Sequence, residues 1–124
     1  RLIIQIKVGP LMKPITIVSP WFTKLMSVVI DVYAITIFPF IISREPMDPE
    51  TLNHETIHIR QQMELLVIPF YLLYGLFYLI GLIKYRDKQT AYLMIPFEQE
   101  AYYNDDNLDY LKTREWFAWR RHKV

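Results

Sequence analysis

The chain has 124 residues, a formal net charge of +1 and no cysteine. This length predicts one domain, residues 1–124, with a modest hydrophobic core. The near-neutral charge argues against a nucleic-acid partner, and the lack of cysteine excludes disulfides and thiolate metal sites. Apolar residues make up 52% of the chain, which is rich for a small domain whose surface must be polar.

The first third of the chain, residues 1–47, is predicted to form mainly strands. Apolar and polar residues alternate in the first candidate, and β-branched and aromatic residues dominate the others. Pro39 indicates an edge position or a bulge in the last strand. A short helix is expected from Trp21 to about Asp31. The predicted strands are Leu2–Val8, Ile15–Val18 and Tyr33–Ile42.

A helix with a marked start follows, and residues 48–124 are expected to be mainly helical. Asp48 is a good N-cap, Pro49 suits the first helical position, and Glu50 places a carboxylate in the first turn, where the helix dipole favours it. This helix is predicted to run to about Leu66, because nothing before that residue breaks it.

The helix contains the pattern His-Glu-x-x-His at His54, Glu55 and His58. The two histidines are at i and i+4, so they lie on one face, roughly 6 Å apart along the axis. Two imidazoles at this spacing can bind one tetrahedral metal ion. Glu55 lies about 100° around the helix from His54, where a general base for a metal-bound water would be.

This motif resembles that of the zincins, the zinc-dependent metallopeptidases. Thr56 and Ile57 between the histidines are uncharged and Ile59 is apolar, as in that family, whereas Arg60 departs from the extended pattern. The resemblance covers the motif helix and one later segment. It implies a gluzincin-like site that binds Zn²⁺, with a glutamate from a later helix as third ligand, and a peptide or protein substrate. In such enzymes an edge strand binds the substrate backbone. The candidate at 33–42 fits that role and fits a plain sheet edge equally well.

Two glutamates are candidates for the third ligand. Pro96 can begin a helix that carries Glu98 and Glu100 about 200° apart, so at most one of them can reach the metal. Glu98 has the small Ala101 at i+3, which would allow close approach to the motif helix, and it is preferred. Either Tyr102 or the neighbouring Tyr103 is expected to stabilise a developing oxyanion.

Residues 65–83 form an uncharged run of nineteen residues. Its length alone suits a membrane span, but a span would carry the later glutamates about 30 Å away from the histidines. Pro69 is expected to end or kink the motif helix, leaving an apolar helix over 69–83. This helix has no polar face, so we favour contact with a membrane surface, or a homo-oligomer formed through 69–83, over a true span.

These features together predict an α+β fold, with a small N-terminal sheet, three to four helices and the motif helix packed under an edge strand. A last helix is expected from Leu108 to about Arg121. The predicted function is a zinc-dependent hydrolase that cleaves peptide bonds. The alternative is a non-catalytic, membrane-associated or structural subunit in which residues 65–83 are the functional element. No cleavable signal peptide is expected, and the compartment stays open.

Overall fold

The computed structural model describes residues 3–6, 14–27 and 33–124. Within these ranges the chain forms one small mixed sheet and a group of helices, which confirms the predicted α+β class. The strands are β1 (Ile3–Ile6), β2 (Ile15–Val18), β3 (Ala34–Ile37) and β4 (Phe40–Ser43). The helices are α1 (Pro20–Met26), α2 (Pro49–Leu65), α3 (Val67–Tyr85), α4 (Lys88–Leu93), α5 (Pro96–Asn104) and α6 (Tyr110–Thr113), followed by a 3₁₀ helix (Ala118–Arg121).

The first predicted strand is seen as β1, and the helix predicted over 21–31 is seen as α1. Ser19 caps α1, because its hydroxyl accepts a hydrogen bond from the Phe22 N–H at 3.3 Å. The remaining residues of these two predictions, 2, 7–8 and 28–31, lie outside the described residues.

The sheet has the strand order β1-β2-β4-β3, with β2 and β4 parallel and the other neighbours antiparallel. The prediction of a single strand over Tyr33–Ile42 is wrong. β3 and β4 are the two arms of a hairpin, and Phe38 and Pro39 form its turn. Proline offers no N–H to a ladder, so it interrupts the strand at this point. β3 is the last strand in the sheet order, so it lies at an edge of the sheet.

The motif helix α2 begins as the sequence predicted. The Asp48 carboxylate accepts a hydrogen bond from the Thr51 N–H at 2.7 Å, and Pro49 occupies the first helical position. Gln62 fixes α2 to the edge strand β3. Its Oε1 accepts from the Phe38 N–H at 2.7 Å, and its Nε2 donates to the Thr36 carbonyl, also at 2.7 Å. The motif helix is therefore packed under an edge strand, as expected.

The boundary between α2 and α3 falls earlier than predicted. Leu66, with φ of 66°, separates the two helices. Pro69 then lies in the first turn of α3, where a missing N–H breaks no hydrogen bond. The apolar helix therefore covers Val67–Tyr85 instead of 69–83.

After α3 the chain returns toward α2. Gly81 allows this return, because a Cβ built on it would lie 3.0 Å from the Ala91 Cα in α4. The core behind the motif helix is made by Phe70, Ile95 and Phe97, which are almost completely buried. This core fixes α5 beside α2.

The predicted last helix, Leu108–Arg121, is wrong as one element. It divides into α6 and the 3₁₀ helix, and the backbone of Arg114 between them is extended. The Arg114 guanidinium reaches inward to two buried carboxylates, those of Glu64 and Glu100. These ion pairs determine the local path of the chain, and helix propensity alone does not indicate them.

Candidate metal centre

His54 and His58 point from successive turns of α2 toward the same carboxylate. The Nε2 atom of each ring lies 3.1 Å from Glu98 Oε1. All three side chains are buried. The structure therefore brings together the two motif histidines and the preferred one of the two candidate glutamates.

Glu98 reaches this position because of how α5 begins. Pro96 occupies the start of the helix after the extended residue Ile95, and Glu98 follows within the first turn. Ala101, one turn later, is completely buried, and its small side chain lets α5 lie close to α2. The Tyr74 hydroxyl donates to Glu98 Oε2 at 2.6 Å and so fixes the carboxylate with Oε1 toward the histidines.

Each histidine is oriented from its far side. His54 Nδ1 lies 3.1 Å from Asp105 Oδ2, and His58 Nδ1 lies 2.7 Å from Gln61 Oε1. Carboxylate and amide oxygens accept hydrogen bonds, so a neutral imidazole here carries its proton on Nδ1. Its Nε2 lone pair then points toward Glu98. This arrangement is typical of histidines that bind metals.

The three side chains are close enough together to ligate one metal ion. Their ligand atoms lie within 4.8 Å of one another. Ligands about 2 Å from a tetrahedral ion are separated by about 3.3 Å, close to the 3.1 Å between each Nε2 and Glu98 Oε1. Two nitrogens and one carboxylate oxygen form a donor set that zinc accepts, and iron and manganese accept it too. The residues present fit a divalent cation.

The charges of the site also favour a cation. Burial alone would lower the pKa of His58, but the Glu98 carboxylate outweighs it and raises this pKa to about 9. Burial would raise the pKa of Glu98, but His58 and His54 hold it far below its usual range. In the metal-free chain the Glu98 carboxylate is therefore balanced by the protonated His58 imidazole. A metal ion can supply this positive charge in place of the proton.

Glu55 lies beside this cluster. Its Oε2 accepts a hydrogen bond from the Thr36 hydroxyl on β3 at 2.7 Å. Glu55, Thr36, His54, His58 and Glu98 all line one open cleft of about 1080 Å³. The edge strand thus positions the motif glutamate at the wall of the cleft, next to the cluster and outside it.

Glu100, the other candidate ligand, faces away from the histidines. Its carboxylate accepts hydrogen bonds from Arg114 Nε at 2.5 Å and from the Tyr110 hydroxyl at 2.7 Å. Burial would raise the pKa of Glu100, but the Arg114 guanidinium lowers it overall. Arg114 also pairs with Glu64 at 2.9 Å. Glu100 is therefore part of a buried ion-pair network.

Gln61 connects this network to the site. Its Nε2 donates to Glu100 Oε1 and to the Phe97 carbonyl, each at 3.0 Å, while its Oε1 faces His58. The sequence predicts no role in the site for Gln61, Asp105 or Tyr74. The position of Gln61 at i+3 from His58 was the one available signal, because that spacing places both side chains on one helix face.

The two tyrosines considered for the oxyanion differ in position. The Tyr102 ring lies 4.4 Å from the His54 ring and lines the cleft, and its hydroxyl is 2.8 Å from that of Tyr92. Tyr103 is 79% exposed and its ring is near His122. Tyr102 is thus the tyrosine of this pair that can contact a molecule in the cleft.

Comparisons with known proteins add no relative. No protein-family model matches the chain, and no curated protein or solved structure matches it significantly. The resemblance to zincins is therefore a prediction from the His-Glu-x-x-His motif alone.

Proposed function

We propose that this protein is a zinc-dependent metallopeptidase-like hydrolase. His54, His58 and Glu98 would hold the ion, and Glu55 would be the general base. The position of Glu55 carries this proposal, because Thr36 holds its carboxylate at the cleft wall beside the three candidate ligands. A purely structural metal site does not need a carboxylate there.

The proposed hydrolysis follows from the groups that these residues would bind and orient. A zinc ion held by these residues would lower the pKa of a water molecule and so supply the nucleophile. Glu55 would accept the proton of that water and pass it to the leaving amine. Thr36 engages Oε2 of Glu55, which leaves Oε1 for this proton. Tyr102 is the candidate donor to the oxyanion that develops on the substrate carbonyl.

The edge strand limits how a peptide substrate can pair. The Arg44 N–H bonds to the Tyr33 carbonyl at 2.7 Å, so Ala34 and Thr36 have their backbone groups on the side away from β4. The Thr36 carbonyl already accepts hydrogen bonds from Gln62 Nε2 and from the Tyr71 hydroxyl. An extended substrate would therefore pair with β3 at Ala34 and not beyond the Thr36 carbonyl.

Replacing Glu55 tests this function directly. In Glu55→Gln we expect hydrolysis of a fluorogenic peptide library to fall by about 10²–10⁴-fold, while the zinc content by elemental analysis stays equal to that of the wild type. The matched control is Glu115→Gln, the same chemical change at an exposed position outside the cleft, and it should retain full activity. Undiminished hydrolysis by Glu55→Gln, or none by the zinc-loaded wild type, would contradict the proposal.

A competing function is a non-catalytic, membrane-associated subunit. The observation in its favour is α3, which has the length and composition of a membrane-crossing helix. Only 11% of its apolar window is buried, unlike the core helix of a soluble protein. In that case the histidines would hold a structural metal or none. Elemental analysis of the wild type beside His54→Ala, together with the library assay, distinguishes the two functions.

A further inference from the structure

One face of α3 consists of exposed aliphatic side chains. The exposed fractions are 73% for Ile68, 69% for Leu72, 50% for Leu76, 53% for Leu79 and 71% for Ile83. Steps of three and four residues place these side chains on one side of a helix. We call these five residues the α3 stripe. A soluble surface helix normally presents polar residues on such a side.

The opposite face of α3 is already in use. Phe70 is part of the core, Tyr74 donates to Glu98, and Gly81 packs against Ala91. The Phe77 and Trp119 rings lie 6.3 Å apart, so the C-terminal segment also packs on this helix. A helix that crosses a bilayer alone has lipid on every side, whereas one face of α3 is covered by protein and its most exposed aliphatic side chains lie on the stripe. A position in the plane of a membrane surface suits this one-sided helix.

Positive charge gathers at the C-terminal end of the stripe. The Lys84 ammonium donates to the Val124 carbonyl at 3.1 Å, which brings the segment after the 3₁₀ helix beside the end of α3. Asp87 and Glu115 also lie here, but Asp87 caps α4 and Glu115 pairs with Arg121. That pair offsets the charge of Arg121, and the other exposed basic side chains of this region are Lys84, Arg86, Lys88, Arg120 and Lys123.

We propose that the α3 stripe docks this protein in the plane of an anionic lipid bilayer, with these basic side chains at the headgroups. Aliphatic side chains next to a group of cations complement the acyl region and the negative surface of such a membrane. A second copy of the chain is a poorer fit. A parallel copy would bring two basic ends together, and an antiparallel copy would leave both without a counter-charge. The five stripe residues do not line the cleft, so the inference does not depend on hydrolysis or on zinc.

Vesicle co-sedimentation of the full chain tests this docking. We expect binding to vesicles of phosphatidylcholine with 30% phosphatidylglycerol that weakens as salt increases, and much weaker binding to phosphatidylcholine alone. The double variant Leu72→Gln/Leu79→Gln should bind at least tenfold more weakly. The control Leu25→Gln/Leu108→Gln changes two leucines that are 53% and 57% exposed elsewhere, and it should bind like the wild type. Lys84→Gln should weaken binding about fivefold at low salt.

A labelled variant provides a second test that requires no loss of binding. The chain has no cysteine, so Leu76→Cys can be labelled at a single position with an environment-sensitive fluorophore. Its emission should shift to the blue on anionic vesicles, and that of labelled Leu108→Cys should not. Absence of vesicle binding, equal weakening by the control pair, or a stable dimer whose label is already blue-shifted without lipid would overturn the proposal. A protein that only detergent extracts would overturn in-plane docking in favour of a span.

Discussion

Gln61 Oε1 lies 2.7 Å from His58 Nδ1, one turn further along the same helix. The amide nitrogen of Gln61 donates hydrogen bonds to the Glu100 carboxylate and to the Phe97 carbonyl. The amide orientation is therefore fixed by α5 before any metal binds. This relationship makes Gln61 a positioning residue for a ligand imidazole, because it contacts Nδ1 and not the Nε2 atom that faces Glu98.

Replacing Gln61 should weaken metal binding. In Gln61→Met the side-chain volume is kept but the acceptor for His58 Nδ1–H is lost, so we expect zinc affinity to fall by about 10–100-fold. Competition with a chromophoric chelator measures this change. Gln89→Met, at an exposed position on α4, is the matched control. An unchanged affinity in Gln61→Met would mean that Gln61 does not position His58.

Replacing the two candidate glutamates should have different effects on zinc affinity and on stability. Glu98→Gln removes the carboxylate that faces both histidines, so zinc affinity should fall by more than about 100-fold. Glu100→Gln leaves the cluster intact but removes the charge that faces Arg114, so zinc should still bind while the free energy of unfolding falls. Chelator competition and urea unfolding of both variants test this. The reverse pattern would assign the ligand role to Glu100.

Arg114 should be important for stability. Its side chain is 3% exposed, and those of its partners Glu64 and Glu100 are 1% and 0% exposed. Arg114→Met leaves two buried carboxylates without a counter-charge, which should cost about 3–5 kcal/mol in urea unfolding. The control is Arg121→Met, which removes an exposed pair with Glu115 and should cost less than about 1 kcal/mol. Similar losses in both variants would contradict a buried network.

Proton release should accompany metal binding. Glu98 raises the pKa of His58 to about 9 in the metal-free chain, with smaller contributions from Glu55 and Gln61. At pH 7 the imidazole is then protonated, and it must lose this proton to bind a metal. Calorimetry in buffers of different ionisation enthalpy should show about one proton released for each zinc at pH 7, and the affinity should rise up to about pH 9. No buffer dependence would refute this.

The same pKa shift sets the direction of a stability change. The folded pKa of His58 is above its ordinary value of 6.5, so its protonation stabilises the metal-free fold. This contribution is complete below pH 6.5 and is lost as the pH rises through about 9. Urea unfolding of the metal-free chain between pH 6 and 9.5 measures it. His58→Gln should show a flatter profile over this interval.

The sequence specified the motif helix and its histidines well, because their determinants are local. Asp48 and Pro49 mark the helix start, and the i, i+4 spacing places both rings on one face. The choice between Glu98 and Glu100 was open because both lie at the start of one helix. It is resolved by Arg114, which pairs with Glu100 from fourteen residues further along the chain. Such long-range ion pairs have no signature in local spacing.

Two of the predicted elements were wrong, each for a different reason. The strand predicted over 33–42 is a hairpin, because a run of β-branched and aromatic residues does not show where strand pairing reverses. The last predicted helix breaks at Arg114 because buried ion pairs outweigh local propensity there. By contrast, Pro69 correctly indicated a separation between α2 and α3, although Leu66 is the residue at which it occurs.

Gln62 also restricts how folded molecules can associate with one another. An exposed edge strand offers free N–H and C=O groups, which can pair with a strand of a neighbouring molecule and begin aggregation. Here Gln62 binds the Phe38 N–H and the Thr36 carbonyl from within the same chain. These backbone groups of β3 are therefore not available for intermolecular sheet extension. In a chain with 52% apolar residues, the Gln62 amide thus opposes one route to aggregation.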